Sequence, residues 1–198
     1  MKSISLVYVV LLLIVAGPGC RPKESSSESI RIKPSKARGE TLSRTLLHLA
    51  PNWEIAERLI DEGVDVNAQD SFGMTPLHTA VIANRRDVAE VLVAHGADID
   101  AKSHRGQTPL FWAVTKNHKD MAEWLIAQGA DINVQDNYGI TPLHSAAHAG
   151  SADLVELLIA GSANVNIKDN EDRTPVDCAK DAGHSGIVEL LCKHGAKE

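Results

Sequence analysis

The chain has 198 residues, 43% apolar and only 4% aromatic; this is enough for one medium domain with extensions, in a mix that favours closely packed helices over a β-rich sandwich. The formal charge of -6 is uneven: residues 21–39 carry six Lys and Arg against two Glu, and residues 40–198 carry thirteen against twenty-four acidic side chains. So acidic a surface repels phosphate backbones and excludes nucleic acid as a partner of the folded part, and three cysteines with no Cys-x-x-Cys or zinc-like spacing exclude a disulfide framework and a structural metal.

The first element is an address. Lys2 gives a positive start, and residues 4–16 form an apolar stretch interrupted only by Ser5 and the hydroxyl of Tyr8, which is too short to span a bilayer comfortably and reads as a secretory signal over residues 1–19. Gly17-Pro18-Gly19-Cys20 follows. This tetrapeptide resembles the lipobox of bacterial lipoproteins, although Gly17 stands where that family prefers an aliphatic residue and Pro18 is unusual there. The resemblance implies that Cys20 is the lipid attachment residue, its thiol carrying a diacylglycerol whose two chains suffice for stable anchoring. It also implies an exported chain held at the bacterial cell membrane or outer membrane, with its folded part in the periplasm or outside the cell. Ordinary secretion with an incidental cysteine, or retention of the uncleaved segment as a tether, stays open. Residues 20–39, with Ser25-Ser26-Ser27, two prolines and two isolated Ile, lack the apolar surface to order themselves and read as a flexible linker.

A period of 33 residues governs the rest. Thr75-Pro76, Thr108-Pro109, Thr141-Pro142 and Thr174-Pro175 are spaced at that interval, as are Ala80, Ala113, Ala146 and Ala179. Gly73, Gly106 and Gly139 keep the same phase, with Asp172 in the fourth slot, and Gly96, Gly129 and Gly195 close their units, with Ser162 as the variant. Such a period means a stacked array. Each Thr is a suitable N-cap and each Pro fits the first helical position. Leu77, Ala80 and Val81 share one face of the first helix, and the small Ala permits close helix packing. Asp87 opens a second helix with Val88, Val91 and Leu92 as its stripe, and Gly96 ends it in a left-handed conformation.

These residues, with Thr75-Pro76-Leu77-His78 and Thr141-Pro142-Leu143-His144, resemble the ankyrin repeat across nearly all of residues 40–198. The resemblance implies an all-α solenoid of helix-turn-helix units joined by β-hairpin loops, in about five repeats: 40–69, 70–102, 103–135, 136–168 and 169–198. The first is degenerate; Thr45 and His48 keep the phase, but three residues are missing between Ala50 and Ile55, so its first helix is expected to be short. In the last, Lys180 replaces the packing residues Val81, Val114 and Ala147, as an end unit facing water requires.

No catalytic constellation appears. His48, His78 and His144 recur with the repeat, and the resemblance implies that they tie neighbouring hairpins together by hydrogen bonds. His144 and His148 have a two-ligand spacing but no adjacent Glu. Asp98-x-Asp100, Asp131-x-Asn133 and Asn164-x-Asn166 repeat with the fold and read as loop chemistry, with calcium as the weaker alternative. Cys178 and Cys192 fall several ångströms out of level at about 1.5 Å per helical residue and read as two small apolar side chains rather than a disulfide. No enzyme activity, cofactor or metal is expected.

In ankyrin proteins the partner lies along the concave face, built from hairpin tips and the exposed side of each first helix. By position, the partner-binding tips are Ser71, Phe72 and Met74; His104, Arg105 and Gln107; Asn137, Tyr138 and Ile140; Asn170, Glu171 and Arg173. Ile82, Ala83, Thr115, Lys116, His148 and Ala149 form the adjoining helix edge. Phe72, Met74, Tyr138 and Ile140, rimmed by Arg105 and Arg173, have the composition of binding hot spots; the bland alternative is that the tips lean on one another. Trp112 and Trp124 read as core. The expectation is a monomer that binds an unknown protein partner as adaptor, inhibitor or accessory factor while tethered to a membrane. The rivals are a spacer and a groove enzyme using His and carboxylate groups.

Overall fold

The computed structural model describes residues 46–197. The expected signal, Cys20 and the linker lie outside the described residues. Among those described the order is a short 3-10 turn η1 (Leu47–Leu49), then α1 (Trp53–Asp61), α2 (Pro76–Ile82), α3 (Arg86–Ala94), α4 (Pro109–Thr115), α5 (Lys119–Ala127), α6 (Pro142–Ala149), α7 (Ala152–Ala160), α8 (Pro175–Asp181) and α9 (Ser185–Lys193). The missing residues of the first unit reduce its first helix to η1.

The helix starts follow from the Thr-Pro pairs. The hydroxyls of Thr108, Thr141 and Thr174 accept the amides of Phe111, His144 and Asp177, and Pro fills the first helical position each time. Ala80, Ala113, Ala146 and Ala179 are all buried, as are Leu77, Leu110, Leu143 and Val176. On the second helices Leu59, Leu92, Leu125, Leu158 and Leu191 form a row with essentially no exposure. One core cluster runs the length of the stack. First helices pack directly on one another, η1 on α2, α2 on α4, α4 on α6 and α6 on α8, whereas second helices touch more sparsely after the α1–α3 pair. The first helices and the projecting loops form one side of the stack, the inner face, which is the side that is concave in stacked-repeat proteins.

The projecting loops are turns rather than strands; no described residue is in a β-strand. Each loop is spanned by a backbone bond between its ends, the Asp70 amide to the Met74 carbonyl (2.9 Å), Ser103 to Gln107 (3.0 Å), Asp136 to Ile140 (3.0 Å) and Asp169 to Arg173 (2.9 Å), with a second, shorter-range bond inside it. Loop is joined to loop by a second set, from the amides of His104, Asn137 and Asn170 to the carbonyls of Phe72, Arg105 and Tyr138 at 2.9–3.0 Å. This stacking leaves no room for a side chain at Gly73, Gly106 or Gly139, where a Cβ would come within 2.7–2.9 Å of the next loop's backbone nitrogen. Asp172 keeps the left-handed conformation of that slot, with φ of 63°. No further loop follows it among the described residues, and its exposed carboxylate pairs with Lys168 at 3.5 Å.

Candidate functional site: the inner face

The framework histidines do what the repeat resemblance implies. The Nδ1 atoms of His78 and His144 receive the backbone N–H of Thr75 and Thr141 at 3.1 and 3.2 Å, so the proton of each neutral ring sits on Nε2. From there it is donated to the next loop, to the Gln107 carbonyl at 3.0 Å and the Arg173 carbonyl at 3.1 Å. His48 reaches the Met74 carbonyl at 2.9 Å. Burial is the chief cause that pushes the His78 and His144 pKa values below the ordinary 6.5. With both ring nitrogens of His144 engaged, it has no lone pair to share with His148 as a metal ligand.

The Asp and Asn residues of the outer loops form a second ladder. Asn67, Asp100, Asn133 and Asn166 each accept the backbone N–H of the next unit, from Asp98, Asp131, Asn164 and Lys197, at 2.8–3.0 Å. Among the described residues no group of three or more His, Cys, Asp and Glu side chains is placed to hold a metal ion. A third set went unread in the sequence: Arg85, His118 and His184 reach back to the carbonyls of Ala50, Ile82 and His148. So did a fourth, in which the carboxylates of Asp70, Asp136 and Asp169 each accept two amides of their own loop. The signal was present, since all three lie on the 33-residue period.

On this frame the tip residues divide in a regular way. Ser71, Phe72, His104, Arg105, Asn137, Tyr138, Asn170 and Glu171 are exposed, while Met74, Gln107, Ile140 and Arg173 are half-buried. Phe72 is 67% and Tyr138 64% exposed, so these two rings are not hidden by the stacking of the tips. Not every tip is available for contact, however. The side-chain amides of Asn137 and Asn170 donate to the carbonyls of His104 and Asn137 at 2.9 and 3.0 Å, as rungs of the stack. Arg173 is held by Asp169 at 2.9 Å and by Glu171 at 3.4 Å. For Asp169, burial favours protonation, but the Arg173 and Glu171 amides and the Arg173 guanidinium outweigh it and keep its carboxyl below the usual range. Arg105 is exposed.

Two hollows open on the inner face. One, of about 400 Å³, is lined by Thr115, Ile140, His144, Ser145, His148, Ala149, Arg173, Cys178 and Asp181. The other, of about 340 Å³, is lined by Phe72, Met74, Ser103, His104, Arg105, Gln107 and Trp112. Trp112 meets the expectation of a core residue in part: it is half-buried and packs against the core cluster, and it also lines this hollow. It shares its register with the half-buried Thr79 and Ser145 and the buried Cys178, at the border between the buried Leu and Ala stripe and the tips. Lys116 extends over it, with Nζ 5.9 Å from the ring centroid. Trp124 is core as expected, 8% exposed, with the Arg86 guanidinium 5.7 Å from its ring centroid. Cys178 is buried and Cys192 half-buried, and no disulfide joins them. Ile82 is half-buried, and Ala83, Thr115, Lys116, His148 and Ala149 are exposed along the adjoining helix edge.

The sequence profile of the family described as ankyrin repeats (3 copies) matches residues 46–136 and 124–198. Among curated proteins, the neurogenic locus Notch protein of Drosophila melanogaster is 51% identical over 43 residues, which is 20% of this chain and 2% of that protein. The neurogenic locus notch homolog protein 2 of Homo sapiens is 42% identical over 52 residues, 25% of this chain and 2% of that protein. The chain thus spans about 2% of the length of these relatives.

Proposed function

Because the chain belongs to the ankyrin-repeat family, whose members serve as protein-interaction modules, we propose that it binds a partner protein along the inner face while held at a membrane through Cys20, as adaptor, inhibitor or accessory factor. The observation that carries this reading is the exposure of Phe72 and Tyr138 at loop tips whose backbones are locked by the stack. Large apolar side chains on a rigid frame lose little entropy on binding, the property of contact residues that carry affinity. The fold supplies the frame and the variable tips supply specificity, so the partner's identity resides in those tips.

The tether rests on sequence: the apolar stretch of residues 4–16 and the small residues before Cys20. Among the described residues no helix is long and apolar enough to cross a membrane. The test uses the full chain in its native membrane. Chemical crosslinking is expected to trap one protein with the natural chain and to lose it when Phe72, Met74, Tyr138 and Ile140 are replaced by Glu in a variant that stays folded. Equal trapping by both would move the site off the tips, and trapping by neither would favour a spacer. In the same cells Cys20→Ser is expected to abolish acyl labelling and release the chain from the membrane fraction; persistence of both would refute the lipid anchor.

A further inference from the structure

We propose that the hollow between Phe72 and Trp112 is the specificity subsite of this face, and that it takes a large apolar side chain on an extended partner segment flanked by carboxylates. The inference rests on the inner-face reading above and commits that reading to one place and one ligand chemistry. Its starting point is a pair of atoms. Among the described residues, only Gln107 Oε1 and Trp112 Nε1 are side-chain polar atoms shielded from water without a hydrogen-bond partner, and both residues line this one hollow. Such orphans are uncommon and costly in native proteins. One is an acceptor and the other a donor. A peptide unit of an extended segment carries a complement to either, a carbonyl to accept from the indole N–H or an N–H to donate to the amide oxygen, and reaches it as the side chains covering that atom move aside.

The apolar walls, Phe72, Met74 and the Trp112 ring, give a side chain next to that peptide unit somewhere to go. Charge then selects what surrounds it. No carboxylate lines the hollow, whereas Arg105 and His104 do, and Lys116 covers the outer side of the ring. Arg173, the other tip cation, is neutralised by Asp169 and Glu171, but Arg105 is in no ion pair among the described residues. A cationic rim on a domain with thirteen basic and twenty-four acidic side chains favours Asp and Glu beside the inserted group. The same charge disfavours the chain's own segment 21–39, with its excess of Lys and Arg, as the occupant.

The probe is a library of short random linear peptides, selected against the immobilised full chain in detergent. Peptides enriched in one large apolar residue with acidic neighbours are expected. Their affinity should fall at least tenfold with Arg105→Glu and also when Trp112 is replaced by 3-benzothienylalanine, which keeps the bicyclic ring and removes only the N–H donor. Circular dichroism melting of each variant establishes that it is folded. Binders that tolerate both substitutions but are lost with Tyr138→Glu plus Ile140→Glu would leave the inner-face reading standing and overturn this subsite. Binders indifferent to all of these changes, or none at all, would overturn both.

Discussion

At the scale of single residues, the His78 and His144 slots make stability depend on pH. Each ring is neutral in the folded chain because Nδ1 faces an N–H donor and the ring is buried, and its pKa lies below the ordinary 6.5. In the unfolded chain each protonates near 6.5, so between that value and the depressed native one the unfolded state binds more protons. The stabilisation is therefore complete above 6.5 and is lost as pH falls towards the native pKa. The equivalent position of the last unit is Asp177, whose carboxylate accepts first the Thr174 amide and then its hydroxyl, and is held below the ordinary 3.8. Its contribution is present above 3.8 and lost as pH falls through its native pKa. Urea unfolding from neutral pH downward should thus show a first loss beginning near pH 6.5 and a separate one below about 3.8. The third unit carries Phe111 in the slot, buried and without either histidine bond, which shows that an aromatic ring fits. His78→Phe combined with His144→Phe should therefore fold, lose about 1–3 kcal/mol at each site at neutral pH, and flatten the first acid loss. A loss of the same size in that variant would assign it to other groups.

At the scale of elements, backbone conformation and loop stacking set which positions tolerate change. Gly96, Gly129 and Gly195 close their units with φ of 85–94°, while Ser162 holds the same slot at 72°. Around these glycines there is open space, so the cost at Ser162 is conformational rather than steric, and Ser162→Gly is expected to raise stability by about 1 kcal/mol. Gly139→Ala meets both penalties, a positive φ of 77° and a Cβ 2.7 Å from the Asn170 nitrogen. It should cost more than the roughly 1–2 kcal/mol of conformation alone. Thermal melting of the two variants should move in opposite directions; a neutral Gly139→Ala would mean that the loops can part without penalty. These elements were largely legible in the sequence, because Thr-Pro starts, glycine stops and the apolar stripe obey local rules that repeat four times. The loops were legible as hairpins but not as turns, since strand length is a property of pairing rather than of local pattern. Trp112 was legible as a core contact but not as a wall of the hollow, because its register partners are small, and small residues suit a helix edge as well as a core. The orphan atoms of Trp112 and Gln107 had no sequence signal at all, because burial without a partner arises only when separate units are stacked.

At the scale of the whole molecule, each unit is stable only because a neighbour covers it, so the outermost surfaces must resist covering. Val81, Val114 and Ala147 are each buried beneath the following unit, while Lys180 occupies the same register in α8 and is exposed. An ammonium there must be stripped of water before a further unit can stack, a cost that opposes stacking on this flank. In the first described unit Leu49 is 56% exposed, and Trp53, 45% exposed, lines a hollow with Asp87, Glu90 and Val91 of the next unit. Making the guarded flank apolar would give one molecule two unlike sticky ends, and contacts between unlike surfaces propagate into open chains instead of closing as dimers. Lys180→Val also removes a cation that helps hold the Asp177 carboxyl below its ordinary range, so a small loss of stability, about 0–1 kcal/mol, is expected. Its sedimentation should nonetheless become concentration-dependent, with species larger than dimers. A monomer at all concentrations would mean that the charge is not what prevents stacking, and that the exposed groups around it, Asp181 and Glu189, suffice without it.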